Sequence, residues 1–139
     1  MTENNQTCPC GSGRPFAECC EPIINGTRES QTAEELMRAR YSAFVMGAID
    51  FIVASTHSRT RKEVDLDFVR EWSETSTWRG LEILETKIVN ENKAFVSFEA
   101  HFTQKGEDQT HREKSLFERE AGQWKFMTGE ELKNPTVRY

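Results

Sequence analysis

Ala94-Phe95-Val96-Ser97-Phe98-Glu99-Ala100-His101-Phe102 sets Ala94, Val96, Phe98, Ala100 and Phe102 on one parity and Phe95, Ser97, Glu99 and His101 on the other. A period of two with unlike sets marks a strand whose faces meet different surroundings. Flanking stretches at 81–89, 110–119 and 123–128 also read as strands, separated by turn signals at Asn90-Glu91-Asn92, Gly106 and Ala121-Gly122. Together they form an antiparallel meander, in which Glu113, Ser115 and Phe117 share a face.

Upstream the period changes to 3.6. Thr32-Ala-Glu-Glu35 has capping-box spacing, so a helix starts there and runs over 32–47. At 100° per residue Ala33, Leu36, Met37, Tyr41, Phe44 and Ala48 form one apolar arc. Arg40 falls inside that arc, whereas Arg38 projects from the opposite side toward solvent. Asp50 reads as the N-cap of a short helix over 50–54, and 65–72 as a third helix. A basic loop at 58–62 joins them. Helices followed by a run of antiparallel strands give an α+β cone of about three helices on a curved sheet.

Before the helices stands Cys8-Pro-Cys10-Gly-Ser-Gly-Arg-Pro-Phe-Ala-Glu-Cys19-Cys20, and no cysteine follows it. Four thiolates at this spacing supply the soft ligands that tetrahedral zinc takes at about 2.3 Å. A Cys19–Cys20 disulfide is disfavoured, because neighbouring Cα atoms are about 3.8 Å apart, short of the roughly 4.4–6.8 Å of bridged cysteines. Cross-bridges pairing Cys8 with Cys20 and Cys10 with Cys19 remain geometrically open, as do free buried thiols. Pro9 stiffens the knuckle, Gly11 and Gly13 permit positive φ, and Phe16 plugs the loop. With Cys8, Cys10, Cys19 and Cys20 all bound, no coordination position is left open, so the expectation is one structural Zn(2+) per chain.

The pattern C-P-C-G-S-G-x-x-F-x-x-C-C resembles the SEC-C motif, which is similar to the zinc-binding tail of the SecA translocation ATPase. Leu36-Met-Arg-Ala-Arg-Tyr-Ser-Ala-Phe44, Thr56-His57-Ser58, Trp78-Arg-Gly-Leu81, Phe95-Val-Ser-Phe98 and Gly122-Gln-Trp124 extend the resemblance to the bacterial YchJ-like family of uncharacterised proteins. Many members of that family carry a second SEC-C motif at the C-terminus. The resemblance implies a zinc knuckle at 1–24, a linker at 25–31 and a nuclear-transport-factor-2-like domain at 32–139. The polar stretch from Glu21 to Gln31 reads as irregular chain. Because the translocase tail contacts an export chaperone, the resemblance also implies a protein partner for the knuckle, with Arg14 as a rim charge.

Composition bounds the remaining classes. The 139 residues suit one domain with the knuckle as an appendage, and the net charge of −5 argues against broad binding of a nucleic-acid backbone. Met1-Thr-Glu-Asn-Asn-Gln6 has no basic or apolar signal, and no stretch reaches membrane-spanning length, so the chain reads as cytoplasmic, as a monomer or homodimer. No nucleophile elbow, phosphate loop or dinucleotide fingerprint is present.

A cone holds a pocket between helix and sheet. Arg40, Tyr41, Trp78 and Glu113 are the candidates to line it. The expected arrangement is an Arg40–Glu113 bridge from helix to sheet, with Arg40 presenting its fork to a ligand carboxylate or phosphate as the sharper reading. His57, at the end of the second helix, reads as a cap on a carbonyl; His101 and His111 read as surface residues. The leading function is a non-enzymatic protein-interaction or ligand-binding module. The alternatives are an acid/base enzyme using His57 or Glu113 with Arg40 or Tyr41, and ribosome or nucleic-acid contact through the knuckle and Arg59-Thr-Arg61-Lys62.

Overall fold

The structure, a computed structural model of the chain, describes residues 6–132. Four helices, α1 (Glu21–Ile24), α2 (Ala33–Met46), α3 (Ile49–Ala54) and α4 (Leu66–Thr75), precede four strands, β1 (Thr77–Asn90), β2 (Lys93–Gln104), β3 (Glu107–Glu120) and β4 (Gln123–Glu131). The strands pair antiparallel in the order β1-β2-β3-β4, the α+β architecture expected from the periodicities. Among the described residues no helix is long and apolar enough to cross a membrane.

α2 is the spine of the molecule. Thr32 Oγ1 accepts from the Glu35 N–H at 3.0 Å, while the Glu35 carboxylate reaches one residue further back than a standard box, to the Gln31 N–H at 2.6 Å. The helix stops at Gly47, whose φ of 77° lets its N–H return to Ala43 and Phe44, a turn that a Cβ would strain. Leu36, Met37 and Tyr41 pack against Ala94, Val96, Phe98 and Ala100 of β2 and Phe117 of β3. The even-numbered face of β2 is therefore the buried one. Each fully buried large side chain contributes about 1.5–3 kcal/mol.

Three local expectations need correction. The stretch from Glu21 to Gln31 is not wholly irregular: Glu21–Ile24 forms a helical turn that buries Ile23 beside the cysteines. Asp50 is not an N-cap, because the tight turn after Gly47 starts α3 at Ile49 and leaves Ala48 as the cap. Arg38 does not point into solvent; it stands under the N-terminal knuckle, half-buried. Asp65, by contrast, caps α4 by accepting from the Phe68 N–H at 3.1 Å.

After α3 the chain adds a short parallel bridge to the free side of β4, with the Phe126 N–H donating to Ser55 O and the His57 N–H donating to Phe126 O, both at 2.8 Å. This bridge carries Ser55 and Thr56 to Arg40. At the other edge of the sheet β1 has no further strand among the described residues, and its Leu84, Ile88 and Val89 are exposed.

Candidate metal centre and ligand cavity

The N-terminal knuckle starts as a hairpin closed by the Thr7–Pro15 bridge, with the Cys8 N–H donating to Arg14 O at 2.8 Å. Gly11 and Gly13, both at φ 85°, turn its tip. A single 3-10 turn over Phe16–Glu18 then delivers Cys19 and Cys20 to the same point. All four sulfurs lie within 4.8 Å of one another. Cys10 Sγ is 3.7 Å from Cys19 Sγ, and Cys19 Sγ is 4.0 Å from Cys20 Sγ. Disulfide sulfurs would be about 2.05 Å apart, whereas ligands on a tetrahedral ion with 2.3 Å bonds sit about 3.8 Å apart. The four thiols are free.

The chemistry of the donor set fits a metal. Hydrogen bonds with Cys20 and Cys8 pull the Cys10 thiol far below its ordinary range, and hydrogen bonds with Cys10 and Cys8 push Cys20 up. Burial pushes Cys19 up, against the Ser12 hydroxyl 3.1 Å from its sulfur. Four buried sulfurs within 4.8 Å of one another make a site in which a divalent cation would replace the thiol protons. Cys8, Cys10, Cys19 and Cys20 would hold it, and it would supply a crosslink and no open coordination position for chemistry.

The knuckle is seated on the cone. Arg38 Nη1 donates to Cys10 O at 2.7 Å while its Nε pairs with Glu34 at 3.1 Å. Cys8 Sγ lies 3.5 Å from Ser42 Oγ, and Ala39 is buried among the cysteines. Gly11 passes so close to the β1 backbone that a Cβ there would meet Leu81 O at 3.3 Å. The cysteines are only 0–7% exposed. Arg14, the expected rim charge, is exposed but folds its Nη2 back onto Glu18 O.

Between α2, α4 and the sheet lies a cavity of about 180 Å³. Its walls include Phe44, Trp72, Trp78, Phe98 and Phe126, with the polar groups of Arg40, Tyr41, His111, Glu113 and Ser115. Trp78 packs on Tyr41, Trp72 and Phe102 at centroid distances of 5.7, 5.7 and 5.4 Å, and its Nε1 donates to Ser73 O. Burial pushes the Tyr41 phenol up to about 12, with the Gly80 backbone opposing; the hydroxyl stays protonated.

Arg40, Tyr41, Trp78 and Glu113 thus surround one space, but the expected Arg40–Glu113 bridge does not form. Arg40 spends Nη1 on Ser55 Oγ at 2.7 Å, Ile52 O at 3.1 Å and Thr56 Oγ1 at 3.3 Å, and its guanidinium lies 4.2 Å from the Phe126 ring centroid. Glu113 instead accepts from His111 Nε2 at 2.7 Å and Ser115 Oγ at 2.5 Å. The reason is reach: the bridge at Thr56 brings three acceptors to α2, and β3 supplies its own donors to the carboxylate. Burial pulls Arg40 down to about 10, with the Glu113 charge opposing, so it remains a cation. For Glu113 burial acts upward, but hydrogen bonds from His111 and Ser115 and the charges of His111 and Arg40 win and hold it below the usual carboxylate range. Gly129 is the seat of this carboxylate, since a Cβ there would collide with it.

His111 is the residue that sequence reasoning missed. It lines the cavity rather than the surface, and its ring meets Trp72 edge-on at 5.1 Å. The signal was available, because residue 111 shares the parity of Glu113, Ser115 and Phe117. His57 stands outside the cavity, and among the described residues its ring caps no carbonyl: its Nδ1 accepts from the Arg59 N–H at 3.0 Å. His101 lies on the outer sheet face near Glu82 and Glu99, where Arg112 already occupies Glu99 at 2.8 Å.

Comparisons with known proteins agree with this picture. Residues 32–129 match the family described as "YchJ, middle NTF2-like domain", and residues 5–22 match the SEC-C motif. A UPF0225 protein of Geobacter sulfurreducens is 41% identical over 128 residues, spanning 91% of this chain and 80% of that one. A UPF0225 protein of Actinobacillus succinogenes is 38% identical over 121 residues, 86% of this chain and 79% of that one. The solution structure of a SEC-C motif containing protein from Rhodopseudomonas palustris superposes with a TM-score of 0.85 at 35% identity, covering 92% of this chain and 100% of that chain. A crystal structure of such a protein from Psychrobacter arcticus gives 0.79 at 30% identity, covering 100% of this chain and 86% of that chain.

Proposed function

The chain belongs to the YchJ (UPF0225) family, and from that premise we propose that it is a small-ligand-binding module whose cone cavity is the working site and whose knuckle is a structural zinc clamp. The knuckle at 1–24, the linker at 25–31 and the cone at 32–139 (residues 1–5 and 133–139 lie outside the described residues) form one functional unit. One zinc per chain is held by Cys8, Cys10, Cys19 and Cys20, in the cytoplasm, where thiols stay reduced. The observation that carries this reading is the cavity: aromatic walls with a few convergent polar groups are the usual anatomy of a ligand site. The burial of all four cysteines against α2 supports a structural metal.

A second reading, docking of a protein partner on the knuckle, draws support from the exposed tip at Gly11-Ser12-Gly13-Arg14. Two measurements separate them. Elemental analysis of purified protein should give one zinc per chain. A fragment screen followed by indole N–H chemical shifts should move Trp72 and Trp78 together and leave the tip still. Shifts confined to residues 11–14 on adding a cytoplasmic extract, with no fragment in the cavity, would replace the ligand reading with the docking one.

A further inference from the structure

Arg40 is 7% exposed, and only one of its three guanidinium nitrogens is engaged: Nη1 takes Ile52 O, Ser55 Oγ and Thr56 Oγ1. Nε and Nη2 have no hydrogen-bond partner among the described residues, and no carboxylate of those residues lies within 4.0 Å of the group. This edge is not sealed in protein, since the buried side-chain polar atom left without a partner among the described residues is Trp124 Nε1, so a ligand can complete the guanidinium. The usual candidate, Glu113, is already committed through both oxygens, to His111 and to Ser115. Arg40 lines the cavity walled by aromatic rings and also a second recess beside Thr56, Val64 and Gly129, and the first of these offers the flat apolar walls.

Building on the cavity reading above, we propose that the ligand is a small organic carboxylate on a flat apolar body, with its carboxylate received by the Nε–Nη2 edge of Arg40 and its body lying among Trp72, Trp78 and Phe98. A guanidinium edge presents two parallel donors that match the two oxygens of a carboxylate. Size sets the body: an apolar cavity of about 150 Å³ holds benzene, so about 180 Å³ accommodates one ring with its acidic substituent. Charge sets the number of acidic groups. Arg40 is one cation facing the Glu113 anion across the same space, so a second acidic group on the ligand would meet Glu113 with no cation of its own.

The probe is benzoate, against benzamide as its neutral isostere and benzene as a test of the cavity alone, each titrated into the zinc-loaded full chain and followed by the Trp72 and Trp78 indole signals. Benzoate should bind about 10- to 100-fold tighter than benzamide, the span of one charge-assisted pair. Arg40→Gln should erase that preference. Glu113→Gln should tighten benzoate and leave benzene unchanged, an effect that a purely structural arginine would not produce. If Arg40→Gln fails to fold, the wild-type ratio and Glu113→Gln decide. Equal binding of benzoate and benzamide overturns the carboxylate inference and leaves the ligand cavity standing; failure of all three probes to move either indole overturns both.

Discussion

Arg38 Nη1 lies 2.7 Å from the carbonyl oxygen of Cys10, so the helix α2 side chain assigned to solvent by helical phase fastens the metal loop to the cone. A charge-assisted hydrogen bond of this kind is worth about 1.5–3 kcal/mol, discounted here because the group is partly solvated. Arg38→Leu is expected to raise zinc loss to a chelator by about tenfold while moving the midpoint of global unfolding little. Competition with a colorimetric chelator, alongside urea unfolding at fixed zinc, reads both quantities.

Arg40→Leu should act on the opposite part of the molecule. It removes the donor that ties α2 to Ser55 and Thr56 and strips the cation from the Phe126 ring. A loss of about 2–3 kcal/mol in unfolding free energy is expected, with zinc affinity unchanged. Equal costs for Arg38→Leu and Arg40→Leu would contradict the burial of Arg40.

Cys19→Ser should abolish stoichiometric zinc and loosen residues 6–24 while the sheet stays folded. Hydrogen exchange separates the two regions: amides of Cys8 and Cys19 lose protection, and those of Val96 and Phe117 keep it. An unaltered zinc content in Cys19→Ser would remove the four-cysteine site.

Glu113 gives a pH signature. Its folded pKa is depressed below the usual carboxylate range, so its stabilising contribution is complete above that range and is lost as pH falls through the folded pKa. Wild type should therefore lose stability faster than Glu113→Gln below about pH 4.5. Comparing the two proteins cancels the acid release of zinc, which acts on both. Parallel stability curves would mean that His111 and Ser115 do not hold a carboxylate anion.

Gly129→Ala tests the same carboxylate from across the sheet. The added methyl collides with Glu113, and the expected result is a displaced His111–Glu113 pair with a cost of about 1–3 kcal/mol. A crystal structure of the variant, or the His111 ring shifts, would show whether the pair moves.

The parts of the fold set by local rules were legible. Alternation from Ala94 to Phe102 gave the buried face of β2, and Thr32 with Glu35 gave the start of α2. Cysteine spacing gave the four-sulfur cluster for the same reason, since all four cysteines fall within thirteen residues. What depended on distant packing was not legible. The phase of α2 put Arg38 away from the sheet, which is true, but a second layer covers that side. The Arg40 partners follow from the bridge between Thr56 and Phe126, a pairing across 70 positions that no local pattern announces. His111 was within reach of parity and was lost only because a histidine on a strand end looks like a surface residue.

The knuckle also orders events in time. Its ligands close a loop of about a dozen residues, a cheap step entropically, whereas its floor arrives later, through contacts to Arg38 and Ser42 that span 28 and 34 positions. A chain emerging N-terminus first displays all four thiols before α2 exists to cover them. A metal held by the four cysteines would therefore be most easily captured during synthesis, and once α2 has docked, its exchange would require the knuckle to lift. Metal loading would then be a record of how the chain was made.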